Sequence, residues 1–536
     1  MTTAPPRRLD PAAHAADPHP ILHAMRAQEP VYRHVEPATG RVFWYLTRYD
    51  DVRRALADPL LGRQIDRLPP ESAARHRAWD RDPLPMVRRS VVNLDPPDHT
   101  RLRRLLAPAF TARAVAALEP RIERHVADLV ERMNGHEETD LIQELALPLP
   151  TLIMAELLAI PRRDLPLLRR WSDGMLRGRD RRHGMEYIAY LQRTLTERRA
   201  HPGDDLMSQL IEGDLSRAEL LSSVFQLLLA GDETTANAIG NGLLALLRHP
   251  GQAARLRAGP ELIDAAVEEM LRFDGPVGHA RPLYALADVD IGGTTIPRGD
   301  TVLPMLVAAN RDPEVFERPD AFDVARAPNR HLGFGHGIHF CPGAALARVQ
   351  LRAVVRALFR RHPGITLSAA DLEWTPDLFV RGVRRLPVRL CTHIDGVARP
   401  TYGRAILDVK GSSPEKEVER HDLRREGSVA HGRNSDRFRG AGIGAGIQRP
   451  FPRGSGHAGV AQGQDSRRAA GGAGALHRRL DHPRGDAAEL RAGHALRLRP
   501  LVRVGKGPLA GLRGRRRGPP TLMGLPARHM AGRYST

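Results

Sequence analysis

One run of this chain gathers the residue types that metal chemistry needs: His331-Leu-Gly-Phe-Gly-His-Gly-Ile-His-Phe-Cys-Pro-Gly-Ala-Ala-Leu-Ala-Arg348. Cys341 follows a loop punctuated by Gly333, Gly335 and Gly337, and precedes Pro342, Gly343 and an apolar, arginine-bearing helical pattern. A sulfur at such a loop-to-helix junction lies near helix-terminal amides, which stabilise a thiolate. The glycines remove side chains where backbone would have to approach a flat ligand closely. On residue types alone the alternative is a buried structural cysteine beside a turn, because free cysteine is commonly buried.

A second chemical constellation is Leu227-Leu-Leu-Ala230-Gly231-Asp232-Glu233-Thr234-Thr235, inside a leucine-rich helical pattern. Glycine in a helix interior costs about 1 kcal/mol relative to alanine, and two β-branched threonines add to the local penalty. A run that opposes helix propensity inside a strong helix marks a functional site, and its acid and hydroxyl are the groups of a proton relay. Ala230 and Thr234 share one face. The plainer alternative is an acidic turn on a surface helix, although leucines flank the run. A third pair, Glu269 and Arg272, lies three residues apart on the next helical pattern.

The order Phe334, Gly337, Cys341, Gly343 resembles the F-x-x-G-x-x-x-C-x-G haem loop of the cytochrome P-450 superfamily, of the soluble bacterial kind. The resemblance implies haem b as cofactor, with Cys341 as the proximal iron ligand whose electron donation favours O–O cleavage. Residues 230–235 resemble the A-G-x-(D/E)-T-(T/S) oxygen-activation motif. By position Ala230 would lie at the haem, Gly231 would let the helix open beside dioxygen, Thr234 would donate a hydrogen bond, and Glu233 would relay protons. Glu269 and Arg272 match the E-x-x-R pair, which ties its helix to the meander before the haem loop. That meander normally supplies an arginine just before a phenylalanine. This chain has Ala321 before Phe322, which leaves Arg318 and Arg326 as open alternatives. The haem propionates would be met by His99 and Arg103 in Asp-His-Thr-Arg-Leu-Arg, by Arg281 and by His339, with Phe334 and Gly343 completing the haem-binding set.

The elements that must position these groups are mostly helical. A strand is expected at 42–46 and a helix at 49–57, followed by an irregular, substrate-facing loop over 60–92. Helical patterns follow Asp95-Pro-Pro-Asp-His-Thr100 and cover 112–133 with an interruption at Pro120, 141–158 and 184–198. Ser216-Arg-Ala-Glu219 is a capping box that opens a long helix running to about Arg248, where Pro250 stops it. Helices are expected over 260–273 and 344–362, a hairpin over 289–296, and a closing strand at 386–390. The fold class is mainly α with a small β region (α+β), and the resemblance implies the cytochrome P-450 prism.

Charge divides the chain. Residues 401–536 hold 27 basic and 11 acidic groups and 24 of the 49 glycines, so the high overall charge of +19 belongs mainly to this tail. The resemblance stops near residue 392, which divides the chain into a haem-thiolate domain, 1–396, and a basic tail, 397–536. The tail reads as disordered or as a shifted reading frame, because such composition buries too little apolar surface to offset chain entropy. The two cysteines, Cys341 and Cys391, offer no disulfide framework once Cys341 is given to iron, which suits a reducing, cytoplasmic setting. No signal peptide and no run of about 18 apolar residues is present, so no membrane partner is expected.

The activity expected from the resemblance is reductive activation of dioxygen and insertion of one oxygen atom into a C–H or C=C bond of a small organic substrate, in secondary metabolism. No flavin or iron–sulfur motif accompanies the haem residues, so electrons would come from NAD(P)H through ferredoxin reductase and ferredoxin. Arg348, Arg352, Arg356 and Arg360 recur every fourth residue and read either as a solvated face or, with Arg101 and Arg104, as a docking surface for an acidic donor. Two rival functions are a peroxide-driven haem-thiolate peroxygenase and a nucleic-acid-binding or scaffold protein acting through the tail. No nucleic-acid partner is expected of the main body. Segments 60–92, 169–185, 227–230, 277–281 and 378–380 would shape the substrate site.

Overall fold

The computed structural model describes residues 17–391 apart from 38, 80–87, 177–180 and 378. The tail expected at 397–536 and the boundary before it lie outside the described residues, as does most of the N-terminal segment. Helices dominate. The strands are β1 (Val31–Val35), β2 (Val42–Leu46), β3 (Leu61–Gly62), β4 (Glu138–Asp140), β5 (Leu283–Ala285), β6 (Val289–Ile291), β7 (Thr294–Ile296), β8 (Thr301–Pro304), β9 (Thr366–Leu367) and β10 (Pro387–Arg389).

The largest sheet has the order β1-β2-β8-β5-β3. Its centre is the parallel pair β2 and β8, in register from Phe43 opposite Thr301 to Leu46 opposite Pro304. The run Val-Phe-Trp-Tyr-Leu suits this place because branched and aromatic side chains pack well on a pleated, half-buried surface. The strand β8, Thr-Val-Leu-Pro, was not anticipated although its first two residues are β-branched. The hairpin β6–β7 turns at Gly292-Gly293 as expected.

The capping box forms as read: Ser216 N donates to Glu219 Oε2 at 2.9 Å, and Glu219 N donates to Ser216 Oγ at 3.3 Å. The helix it opens runs Arg217–Arg248. Its first half, Leu220 to Leu228, enters one apolar core, and its second half, Ala236 to Leu246, enters another. Between the two, residues 229–234 keep accessible surface, Ala230 most of all.

Four readings need correction. The stretch 60–92 is not irregular throughout, since it contains β3 and the helix Pro70–Trp79. Pro120 does not interrupt its helix, which runs Ala112–Arg132. A proline there removes one backbone bond, at a cost of about 3 kcal/mol. Burial of Ile122, Val126, Leu129 and Val130 outweighs that, at about 1.5–3 kcal/mol per side chain. The pattern over 141–158 divides into a π-helical turn, Ile142–Ala146, and the helix Pro148–Leu157. Helices Leu165–Leu176 and Pro250–Ala258 were not anticipated. Among the described residues no helix is long and apolar enough to cross a membrane.

Candidate active site

Cys341 sits in the loop before the helix Ala344–Arg361. Its N–H donates to the Phe334 carbonyl at 3.0 Å, which closes the loop on itself. Gly337 has φ of +71°, and a Cβ there would lie 2.6 Å from the Leu56 carbonyl oxygen, so only glycine fits. Burial pushes the Cys341 thiol up, while the Gly343 N–H and the Arg103 and Arg348 guanidinium groups pull it down. The expected helix-terminal stabilisation of sulfur is therefore the Gly343 amide, since Pro342 has none to give.

The loop is held from beneath through Glu268, a residue that the sequence did not single out. Arg348 Nε and Nη2 donate to the two Glu268 oxygens at 2.6 and 2.7 Å, and His331 Nε2 lies 2.9 Å from Glu268 Oε2. These partners hold the Glu268 carboxyl down at about 2. The Arg348 guanidinium also lies 4.5 Å from the Phe334 ring centroid. The basic stripe is largely neutralised by its own chain. Besides Arg348, Arg352 meets Asp264 at 3.2 Å and Arg356 meets Glu123 at 3.6 Å. Arg101 donates to the Asp214 carbonyl at 2.8 Å and to Glu219. The solvated-face reading of the stripe fits these pairs better than a docking surface.

Glu269 and Arg272 are fully buried and paired through two hydrogen bonds of 2.7 and 2.8 Å. The missing meander arginine is Arg326, whose Nε lies 3.1 and 3.0 Å from the Glu269 oxygens. Its Nη2 donates to the Ala321 carbonyl at 3.0 Å, and Arg272 Nη2 donates to the same oxygen at 3.1 Å. The Ala321 carbonyl thus joins the two guanidinium groups that flank Glu269. Arg318 points elsewhere, with an exposed side chain beside Glu317.

The four expected propionate partners fall into one region. His99 is buried on the helix Asp98–Leu106, and its ring meets that of His339 edge-on at 4.4 Å. Arg103 Nη2 donates to the Phe340 carbonyl at 2.8 Å, next to Cys341. Arg281 donates to Asn93 Oδ1 at 2.8 Å. Arg63, which the sequence reading did not single out, joins them. His339 is pushed down to about 2 by burial and by Arg63, His99 and Arg103. Both ring nitrogens of His99 and the Nε of Arg63 are buried without a hydrogen-bond partner. Guanidinium groups close together beside buried, unpartnered ring nitrogens of this kind suit an anion.

In the gap of the long helix, Thr234 Oγ1 donates to the Ala230 carbonyl at 2.6 Å. At rest its proton is committed, so its lone pairs face outward and it accepts before it donates. At Gly231 a Cβ would fall 2.6 Å from Met154 Sδ, so the Met154 side chain packs against the bare backbone there. Glu233 is half-buried, and its neighbour Asp232 turns to the helix Pro148–Leu157, where Thr151 Oγ1 donates to it at 2.7 Å.

Burial pushes the Asp232 carboxyl from 3.8 up to about 6. A raised folded value means that the native state holds the extra proton between about pH 4 and 6, so this stabilisation is lost as pH rises through that window. Asp232→Asn removes the charge and keeps an acceptor for Thr151. Its melting temperature at pH 8 is expected to exceed the parent's by about 2 °C, with little difference at pH 4. Equal differences at both pH values would contradict this.

The comparisons with known proteins agree with this geometry. The cytochrome P450 family profile matches residues 154–259 and 260–368. The chain is 41% identical over 390 residues to cytochrome P450 107B1 of Saccharopolyspora erythraea, covering 70% of this chain and 96% of that protein. It is 36% identical over 389 residues to the polyketide biosynthesis cytochrome P450 PksS of Bacillus subtilis, covering 70% and 96%. Among solved structures, myxobacterial cytochrome P450 CYP267B1 in complex with myristic acid superposes with a TM-score of 0.67 at 39% identity, covering 71% of this chain and 98% of that one.

Proposed function

The chain belongs to the cytochrome P450 family of haem-dependent monooxygenases, and from that premise we propose that it inserts one oxygen atom from dioxygen into a C–H or C=C bond of a lipophilic secondary metabolite. Electrons would come from NAD(P)H through a reductase and ferredoxin, in the cytoplasm. Polyketide-like substrates are favoured because PksS, which is similar over nearly its whole length, is a polyketide biosynthesis enzyme.

The residues present fit haem b. Cys341 offers a sulfur with an amide and two guanidinium groups at hand. His99, Arg103, Arg281 and His339, with Arg63, form a basic region whose unpartnered His99 ring and Arg63 Nε suit two propionates. Ala230, Phe334 and Gly343 would line the group. When bound, haem supplies reductive activation of dioxygen.

The protein's part is to hold and move protons and to orient the substrate. The observation that supports the dioxygen reading is the burial gap at residues 229–234, where the Thr234 hydroxyl and Glu233 keep accessible surface between two buried stretches of one helix. Glu233 would bring protons inward, and Thr234 Oγ1 would pass them on by turning away from the Ala230 carbonyl. A peroxide-driven enzyme has no need of this pair.

Turnover under isotopically labelled dioxygen, with ferredoxin, reductase and NAD(P)H, is expected to place one labelled atom in the product. Label arriving from water, or product formed with hydrogen peroxide alone and none with the electron donors, would overturn the proposal.

A further inference from the structure

The segment after the helix Ile263–Phe273 and the chain near residue 380 are two of the stretches expected to shape the substrate site, and they are joined into one wall. Val277 and Val380 make an antiparallel bridge. Gly278 N donates to the Phe379 carbonyl at 3.0 Å, and Arg381 N donates to the Pro276 carbonyl at 2.8 Å. Side chains lock the same junction. The buried Arg381 guanidinium pairs with Asp274 and lies over the Trp374 ring, 3.6 Å from its centroid. Both contacts gain from burial, because water competes less for the cation.

The long helix Arg217–Arg248 grips this wall. Asn241 is fully buried, and its amide nitrogen donates to the Asp274 and Arg381 carbonyls, both at 3.1 Å. One side chain therefore holds both halves of the wall, at the two residues that form the ion pair. Its Oδ1 is buried with no hydrogen-bond partner, a cost that the two donated bonds must offset. One turn nearer Thr234, Asn237 packs so closely on Gly382 that a Cβ there would collide with its side chain.

Thr234, Asn237 and Asn241 stand at i, i+3 and i+7, on one face of the helix. The face that carries the Thr234 hydroxyl thus continues into the two asparagines that meet the wall.

We propose that Asn241, acting through the Asp274–Arg381 pair, is a positioning residue that fixes the substrate-site wall relative to Thr234 and so decides how bulky a ligand the site accepts. The proposal rests on the haem-dependent reading above and adds to it a residue two turns beyond Thr234.

The test uses ferric holoenzyme and two azoles that bind haem iron, imidazole and the much larger clotrimazole, titrated by absorption difference spectra. Asn241→Leu and Asp274→Asn are expected to weaken clotrimazole about tenfold and to leave imidazole within about twofold, because the bulky ligand has to order a wall that the parent holds ready. Arg381→Lys, which keeps the charge pair, should lie nearer the parent. Haem content and melting temperature are followed alongside. Proportional loss of both azoles means general damage, and parent-like clotrimazole binding in the folded variants means that the wall needs no such brace. Either result overturns the proposal. Should Asn241→Leu not fold, Asn241→Ser and Asp274→Asn decide. Parent protein that binds no haem defeats the functional reading itself, which keeps the two failures distinct.

Discussion

Arg326→Ala is expected to cost about 3–5 kcal/mol of stability and to yield protein with little bound haem. Glu269 has no access to water. Its carboxylate accepts from Arg272, from Arg326, from Asn329 Nδ2 at 3.2 Å and from the Asp323 N–H at 2.9 Å. Removing Arg326 strips two of those contacts and leaves the Glu317, Arg318 and Ala321 carbonyls without its guanidinium donors. Those carbonyls belong to the segment that leads into the cysteine loop, so the damage reaches the haem site. Chemical denaturation and haem content of the purified variant measure it, and Arg326→Lys should fall between. Parent-like stability and full haem content in Arg326→Ala would remove Arg326 from this role.

Thr234→Ala is expected to keep haem binding and the substrate-induced spectral response while product per NAD(P)H falls about tenfold or more. The hydroxyl donates to the Ala230 carbonyl in the preceding turn of its own helix, so its loss leaves the core untouched. Without it, protons are delivered less well where oxygen is activated, and reducing equivalents leave as hydrogen peroxide. Product, NAD(P)H and peroxide measured together give the coupling. Unchanged coupling would take Thr234 out of the mechanism.

The helices that carry the site were legible because their signals are local. The Ser216–Glu219 capping box fixed the start of the long helix, and Pro250 fixed its end. The cysteine loop could be read from glycine spacing because a side chain at Gly337 would strike the Leu56 carbonyl, a constraint that leaves a mark in sequence. What could not be read depends on distant chain. Arg326 and Arg318 look alike in sequence, and only packing against Glu269 separates them. Arg348 was read as part of a basic stripe because its partner Glu268 is eighty residues away, on another helix. Arg63 gave no signal, since its neighbours His99, Arg281 and His339 come from three other segments. Pro120 misled because a local rule was overridden by burial of the helix around it.

The central claim is a haem iron held by the Cys341 sulfur, and the absorption spectrum of the reduced protein under carbon monoxide tests it most directly. The parent protein is expected to show the strongly red-shifted Soret band that thiolate donation produces, and Cys341→Ala is expected to lack it. A parent spectrum without that band, or a Cys341→Ala variant that keeps it, would contradict the account.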